Sequence, residues 1–418
     1  MKTKIKFIAQ VINGATPSTS NPEFWDGDIY WATPDDLGSL DDKIIAHTKR
    51  MITEEGLTSC GTSLTPEGSI ILSTRAPIGH IAITGKQMCC NQGCRILIPR
   101  DWIAGDFLYY YLYCNKQLLI SYGQGSTFLE LSRNMLASIS LEIPDTEKQN
   151  SIAAFLDHET TRIDALIHKK KQMIELLKEK RTALVTQAVT KGLDPNVKMK
   201  DSGIEWLGEV PEHWAVKKLR FLVKAPLQYG AIEAAELDDP YLPRYIRITD
   251  IDEKGDLRED GIKTIPWDKA EPYMLNDGDL LLARSGATAG KSLLYKETYG
   301  AAAFAGYLIR ATFNGQVLPD FASYYTSSQI YSNWLSMVLI QATIQNISAE
   351  KYKELSLPVP SICEQRKIVS YLRDETDKID MMMNIMIHSI SLLQEYRSSL
   401  IHSAITGKID LRGYHEEH

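Results

Sequence analysis

ARSGATAGKS, at residues 283–292, comes close to a phosphate-binding loop. Such a loop needs Gly, four residues, then Gly-Lys-Ser/Thr, so that backbone N–H groups cradle phosphates and the lysine reaches them. Here the first position is Ser285, and Gly286 stands one residue too close. The residues that follow, LLYKETYG, predict a strand, so no helix N-terminus would face a phosphate. A Gly-rich turn between two strands accounts for the stretch better. Cys89, Cys90 and Cys94 cluster, without a CxxC pair or a His at finger spacing. Buried, reduced thiols are expected there, and no metal site. His47, His80, His158, His168, His213, His388 and His402 are scattered, and although Asp, Ser and His counts always allow a triad on paper, they form no catalytic constellation.

NPEF (21–24) and DDPY (238–241) approach the Asn/Asp-Pro-Pro-Tyr/Phe tetrapeptide of amino-methyltransferases, which holds a target amine while its aromatic stacks on a flipped base. Glu23 stands where the second Pro belongs, and Asp239 displaces the first. No Gly-rich loop after a strand is available for a methyl donor. Both stretches are expected to be loops, and the chain is expected not to be an enzyme.

The elements that would position any site come from a repeat. Residues 360–410 align with 144–194 at a constant offset of 216 without a gap. Matches include Gln149/Gln365, Thr160/Thr376, Asp164/Asp380, Arg181/Arg397 and Ala188/Ala404. The period is too long for a solenoid unit, so it marks duplication of a domain-plus-helix module. The preceding stretches repeat with lower fidelity: Lys6-Phe7 matches Arg220-Phe221, Gly68 matches Gly278, and Phe107 matches Phe321. The organisation is therefore 1–143, a mixed α and β module; 144–194, a helix; 195–359, a connector and a second module; and 360–418, a second helix and tail. In the first module Ser69–Ser73, His80–Thr84 and Arg95–Ile98 predict strands, 101–120 a helix, 121–134 a loop and Ser138–Ile143 a last strand. In the connector, Trp206 and Trp214 are candidate docking anchors. Glu147 and Glu364 suit the start of a helix, where acids complement its dipole.

Within the helices the apolar residues keep a 3,4 step. Ile163, Ile167, Ile174, Leu177 and Leu184 lie on one seam, and Ile379, Met383, Ile390, Leu393 and Leu400 on the other. A seam sustained over more than three heptads predicts a coiled-coil pair, antiparallel if the modules are related by a pseudo-two-fold axis. The alternative is two amphipathic helices, each packed on its own module. Composition is that of a water-soluble globular protein, 44% hydrophobic and 24% charged, with no apolar run of membrane-spanning length. The net charge is −7, and no segment is strongly basic. Charge alone does not announce a nucleic-acid binder.

Two diverged modules alternate with two long helices. Each helix opens with Pro and Glu/Gln (Pro360, Glu364, Gln365; more loosely Glu147 and Gln149) and closes with AVTKGLD (188–194) or AITGKID (404–410). The connector DSGIEWLGEVPEHW spans 201–214. In these motifs the chain resembles the DNA-specificity subunit of type I restriction–modification systems. The resemblance implies an α+β fold: two pseudo-symmetric mixed α/β target recognition domains separated by two long antiparallel coiled-coil helices. Each domain would read one half of a split site on double-stranded DNA. The helices would set the spacer and dock two methyltransferase subunits, with restriction subunits joining through the complex. The chain itself would hold no cofactor; S-adenosylmethionine and ATP would sit on the partners, in the cytoplasm. A coiled-coil adaptor that binds protein and not DNA is the alternative. A fused methyltransferase is a third reading, disfavoured by the missing methyl-donor loop.

Under that resemblance, base readout calls for Arg, Gln, Asn, Ser and Thr on loops or strand ends. In the first module the candidates are Ser73, Arg75, Gln124, Ser126 and Thr127. In the second they are Arg284, Ser285, Gln341 and Thr343, with Gln228 and Arg247 behind them.

Overall fold

The computed structural model describes residues 1–411, apart from positions 41, 76, 126–128, 235, 253–254, 286–288 and 341–345 and the side chain of position 340. The chain forms two compact units: unit 1 is Met1–Lys170 with His388–His418, and unit 2 is Lys171–Ile387. Each unit thus takes half of each long helix. The helices run Thr146–Lys191 and Ile362–Ile405. No Pro or Gly interrupts either one, and each is capped at the repeat-equivalent position. Asp145 Oδ1 accepts from Lys148 N at 2.9 Å, and Ser361 Oγ accepts from Glu364 N at 3.2 Å. Past their ends, Gly192 and Gly407 take positive φ values of 77° and 72°, which stops each helix cheaply.

In unit 1 a five-stranded sheet has the order Ala9–Asn13, Cys94–Pro99, Ile70–Ser73, Ile81–Thr84 and Ile44–Ile45, antiparallel except for its last pair. A three-stranded sheet (Met51–Ile52, Trp25–Ala32, Met88–Cys90) is built from strands that alternate with these along the chain. The expected strands form, shifted by a residue or so at their ends. The single helix expected over 101–120 is two, Gly105–Cys114 and Lys116–Ser121. At the break the Asn115 amide turns back to Tyr111 O at 2.8 Å. The expected loop 121–134 also ends in a helix, Arg133–Ser138, capped by Ser132, and the final strand shortens to Ser140–Glu142. Its capping serine was the available signal.

Unit 2 follows the same plan. Its four-stranded antiparallel sheet has the order Gln228–Tyr229, Leu308–Ala311, Leu280–Ala283 and Ser292–Leu294. The strands at Leu280 and Ser292 are antiparallel neighbours on either side of the Gly-rich stretch, whose residues 286–288 lie outside the described residues. Trp214 is buried and donates from Nε1 to Glu364 Oε1 at 3.0 Å, while half-buried Trp206 packs on the same core. Glu364 therefore anchors the connector as well as opening a helix.

The helices pack antiparallel within each unit. In unit 1, Ile152, Leu156, Ile163 and Ile167 share a core with Leu400, Ile401 and Ala404. In unit 2, Val185, Ala188 and Val189 share one with Ile368, Val369 and Leu372. Ion pairs repeat the arrangement. Arg397 Nε lies 3.0 and 3.2 Å from the two Asp164 oxygens, with Nη2 at 3.1 Å. Arg181 faces Asp380 at 3.3 Å. These are the same two repeat positions, with the helices exchanged.

A second repeated device locks each module to its helix. Gln149 is fully buried: Oε1 accepts from Ala104 N at 2.9 Å, and Nε2 donates to Pro144 O at 3.0 Å and Trp102 O at 3.4 Å. Gln365, also fully buried, accepts from Leu318 N at 2.7 Å and donates to Pro360 O at 2.9 Å and Gln316 O at 3.0 Å. This accounts for the recurrence of a glutamine that helix initiation alone does not require.

Candidate nucleic-acid interface

The two units end their main sheets in equivalent frames. In unit 1 the strand Ile70–Ser73 runs out to Thr74, whose N–H donates to Gly93 O at 2.7 Å and whose carbonyl accepts from Leu131 N at 3.0 Å. In unit 2 the strand Leu280–Ala283 runs out to Arg284, whose N–H donates to Tyr307 O at 3.0 Å and whose carbonyl accepts from Ile347 N at 2.7 Å. Thr74 and Arg284 thus hold one place, and Arg75 and Ser285 the next. Gly14 and Gly230 close both frames. A Cβ on Gly14 would overlap the Asn91 carbonyl, and one on Gly230 the Phe304 carbonyl, so only glycine fits.

In unit 1, Arg75 is exposed and pairs with Glu130 at 2.6 Å, while Arg95 reaches the other oxygen of Glu130 at 3.4 Å. Gln124 is exposed and exchanges two backbone hydrogen bonds with Glu130, both 2.9 Å. The structure therefore brings Arg75 and Gln124 together. Ser73 does not belong with them. It is fully buried, and its hydroxyl donates to Pro77 O at 2.7 Å and accepts from His80 N at 2.8 Å, which consumes it in a turn. Ser126 and Thr127 lie outside the described residues.

In unit 2, Arg284 stacks over Tyr229 at 4.8 Å and donates from Nε to Asn346 Oδ1 at 3.3 Å. Half-buried Ser285 forms an isolated bridge with Asn346. Gln228 is half-buried and engaged, donating to Pro272 O at 3.1 Å and accepting from Arg310. Arg247 also departs from the expectation. Its Nη2 holds Asp250 at 2.6 Å and Gly261 O at 2.9 Å, and Asp250 accepts its backbone N–H. At the counterpart position the Thr33 N–H donates to Asp36 Oδ2 at 2.8 Å, as the Arg247 N–H does to Asp250 Oδ2 at 2.8 Å. Both are helix starts, which leaves Arg247 little freedom to reach a base. Gln341 and Thr343 lie outside the described residues.

Sequence reasoning passed over Glu130, Asn346, Tyr229 and Tyr307, which border the candidate arginines. The signal available was Tyr307, a large side chain at the place where the other module has Gly93.

The seam residues divide between the units. Ile163, Ile167 and Leu400 are buried in unit 1, with Ile390 and Leu393 half-buried; Ile174, Leu177, Ile379 and Met383 are buried in unit 2, with Leu184 half-buried. Off the seam, Leu166, Met173 and Leu176 on the first helix and Met381, Met382, Ile385, Ile387 and Leu392 on the second stay exposed.

The motifs weighed for chemistry resolve as local structure. Asn21 caps the short helix Pro22–Phe24, and Asp239 accepts from Tyr241 N at 2.9 Å within its own turn. Cys89, Cys90 and Cys94 are buried, and burial pushes the Cys89 thiol up to about 12. Among the described residues no group of His, Cys, Asp and Glu is placed to hold a metal.

Two modules of one build, each presenting a strand-end arginine and both carried on a repeated helix, define a class of protein. The sequence matches the type I restriction modification DNA specificity domain over residues 1–176 and 211–387, and the chain belongs to that family. It is 39% identical over 179 residues to the MjaIX specificity subunit of Methanocaldococcus jannaschii, covering 42% of this chain and 40% of that subunit. It is 22% identical over 379 residues to the EcoKI specificity subunit of Escherichia coli K12, covering 87% and 79%. Its fold is like that of a chain in a solved structure concerned with complex assembly and conformational transition of the type I R-M system, with a TM-score of 0.73, 15% identity and 98% of both chains covered. It is also like the HsdS subunit from Thermoanaerobacter tengcongensis, with a TM-score of 0.52, 15% identity and coverage of 98% and 97%.

Proposed function

We propose that this chain is the DNA sequence-recognition subunit of a type I restriction–modification complex. The observation that carries the reading is the equivalence of the two strand-end frames, one in each matched specificity domain, each bordered by its own arginine and by side chains that differ between the two units. Each unit reads one half of a bipartite target on double-stranded DNA. The two halves differ because the side chains on the common frame differ. The long helices set the number of base pairs between the halves.

Two methyltransferase subunits dock on the helices, and restriction subunits join through them. The exposed Leu166, Met173, Leu176, Met382, Ile385 and Leu392 support docking, because solvent-exposed apolar side chains along a helix gain free energy when a partner covers them. The basic run Lys169–Lys171 adds an adjoining charged face. S-adenosylmethionine and ATP belong to those partners, and the complex works in the cytoplasm. No described helix is long and apolar enough to cross a membrane.

The test is co-expression with an adenine-N6 methyltransferase encoded beside this chain. Co-purification of two methyltransferase copies, with methylation confined to one bipartite motif, is the expected result. A chain that binds protein partners yet leaves methylation without sequence preference would be a scaffold, and the proposal would fail.

A further inference from the structure

The two frames carry opposite surfaces. In unit 1 the frame holds Asn13, Thr16 and Gly93, with Thr16 hydrogen-bonded to Gln92. At the equivalent places unit 2 has Tyr229, Ile232 and Tyr307. Ile232 is 95% exposed and Tyr307 63% exposed. Their backbones are adjacent: Gly306, the residue before Tyr307, donates its N–H to Ala231 O at 2.7 Å, and a Cβ on Gly306 would lie 3.3 Å from the Ile232 side chain. Nothing in the fold requires apolar groups there, since the same frame closes in unit 1 with threonine and glycine. An isoleucine left almost wholly in water gains from a contact outside the chain.

Beside this apolar pair stands Arg284. In unit 1 the frame's exposed cation, Arg75, is held by the Glu130 carboxylate. The Arg284 guanidinium is hydrogen-bonded, among the described residues, through Nε to the neutral Asn346, and it lies 4.8 Å from the Tyr229 ring centroid. Among the described residues neither of its terminal nitrogens has a partner. No ion pair holds Arg284 among the described residues, whereas Glu233 pairs with Lys269 at 3.5 Å and Asp239 accepts from Tyr241 N within its own turn. A fork of free N–H donors suits the two acceptors that guanine presents in the major groove, and an apolar side chain beside it suits the C5-methyl of thymine.

We propose that unit 2 reads its half-site in the major groove through Arg284, Ile232 and Tyr307 together, Arg284 holding a guanine while Ile232 and Tyr307 pack on the C5-methyl of a neighbouring thymine. This rests on the proposed function and deepens it. Ile232 and Tyr307 are then specificity-determining residues, and the other half-site is read by a polar surface.

The experiment uses the complex of the full chain with its methyltransferase. Duplexes carrying the target are prepared with each thymine replaced in turn by deoxyuridine, which keeps pairing and removes one methyl. At one position in the half-site of unit 2, binding should weaken about fourfold, as expected for one buried methyl-sized group. Ile232→Ala and Tyr307→Ala should remove that dependence and tolerate other pyrimidines there, while Arg284→Ala relaxes the adjacent guanine. Both apolar side chains are exposed, so the variants keep the fold, and the half-site of unit 1 is the internal control. If every deoxyuridine duplex binds like the parent while the motif is still recognised, the methyl contact is wrong and the proposed function stands. If the variants lose affinity for all sequences together with DNA bending, the side chains are wedges between base steps, and the proposal is overturned. If the parent complex shows no preference for any sequence, the proposed function fails and this inference with it.

Discussion

Burying a glutamine is favourable only when its polar atoms are all bonded. Gln149 and Gln365 meet that condition in the same way, each accepting one backbone N–H and donating to two carbonyls. Gln149→Leu would fill a similar volume but strand the Ala104 N–H and two carbonyls. We expect it to destabilise unit 1 by about 1–3 kcal/mol, the cost of leaving buried polar groups unpaired. Gln365→Leu should do the same to unit 2. Hydrogen exchange at Ala104 and Leu318 reads each effect locally; unchanged protection at both would refute the brace. The repeat pointed to these residues, but their partners could not be read from it. Ala104, Trp102, Leu318 and Gln316 belong to loops before helices, and loops follow no periodicity.

A like-charge conflict at the first helix has been solved differently in the two copies. Asp157 approaches Asp106, and Lys43 binds both. In unit 2 the repeat-equivalent positions are Arg373 and Asp320, which pair directly at 3.4 Å. Between the helices, the reciprocal pairs differ in quality. Arg397 makes three hydrogen bonds to Asp164, and its guanidinium lies 5.6 Å from the Tyr113 ring; Arg181 meets Asp380 without hydrogen-bond geometry. A double-mutant cycle at Arg397 and Asp164 should therefore give a coupling near 1 kcal/mol, limited by the partial exposure of Asp164. The cycle at Arg181 and Asp380 should give roughly half that. Urea unfolding monitored in each unit separately checks the order; equal couplings would mean that hydrogen-bond geometry does not set their strength. The 3,4 apolar step made the seam legible. Which half of one helix meets which half of the other follows from the separate apolar core of each unit, and these charge pairs repeat the arrangement.

At the scale of the whole molecule, the proposed function makes the helices a ruler. An α-helix rises 1.5 Å per residue, so the 46 residues of Thr146–Lys191 extend about 69 Å. Two readers one DNA turn apart need centres about 34–36 Å apart, which a rod of that length can accommodate. Inserting or deleting four residues within the 163–188 seam should change the spacer of the methylated motif by a whole number of base pairs and leave both half-sites as they were. Methylome sequencing decides it. An unchanged spacer would rule out the ruler, and changed half-sites would mean that the readers themselves had been disturbed.

The sequence by itself determined what depends on spacing along one chain. The duplication, the two long helices, the heptad seam and the absence of a plausible catalytic motif could all be read from residue types at fixed intervals, because helical burial repeats every three to four residues. The alternation of module and helix carried the family resemblance for the same reason. The tertiary structure decided which polar residues are free. Ser73 and Arg247 look like readers in the sequence, but a turn and a helix cap consume them. Arg75 and Arg284 look alike in the sequence, but one meets a carboxylate and the other an amide and an aromatic ring. Their partners lie tens of residues away, brought in by sheet pairing, and no local pattern encodes that distance.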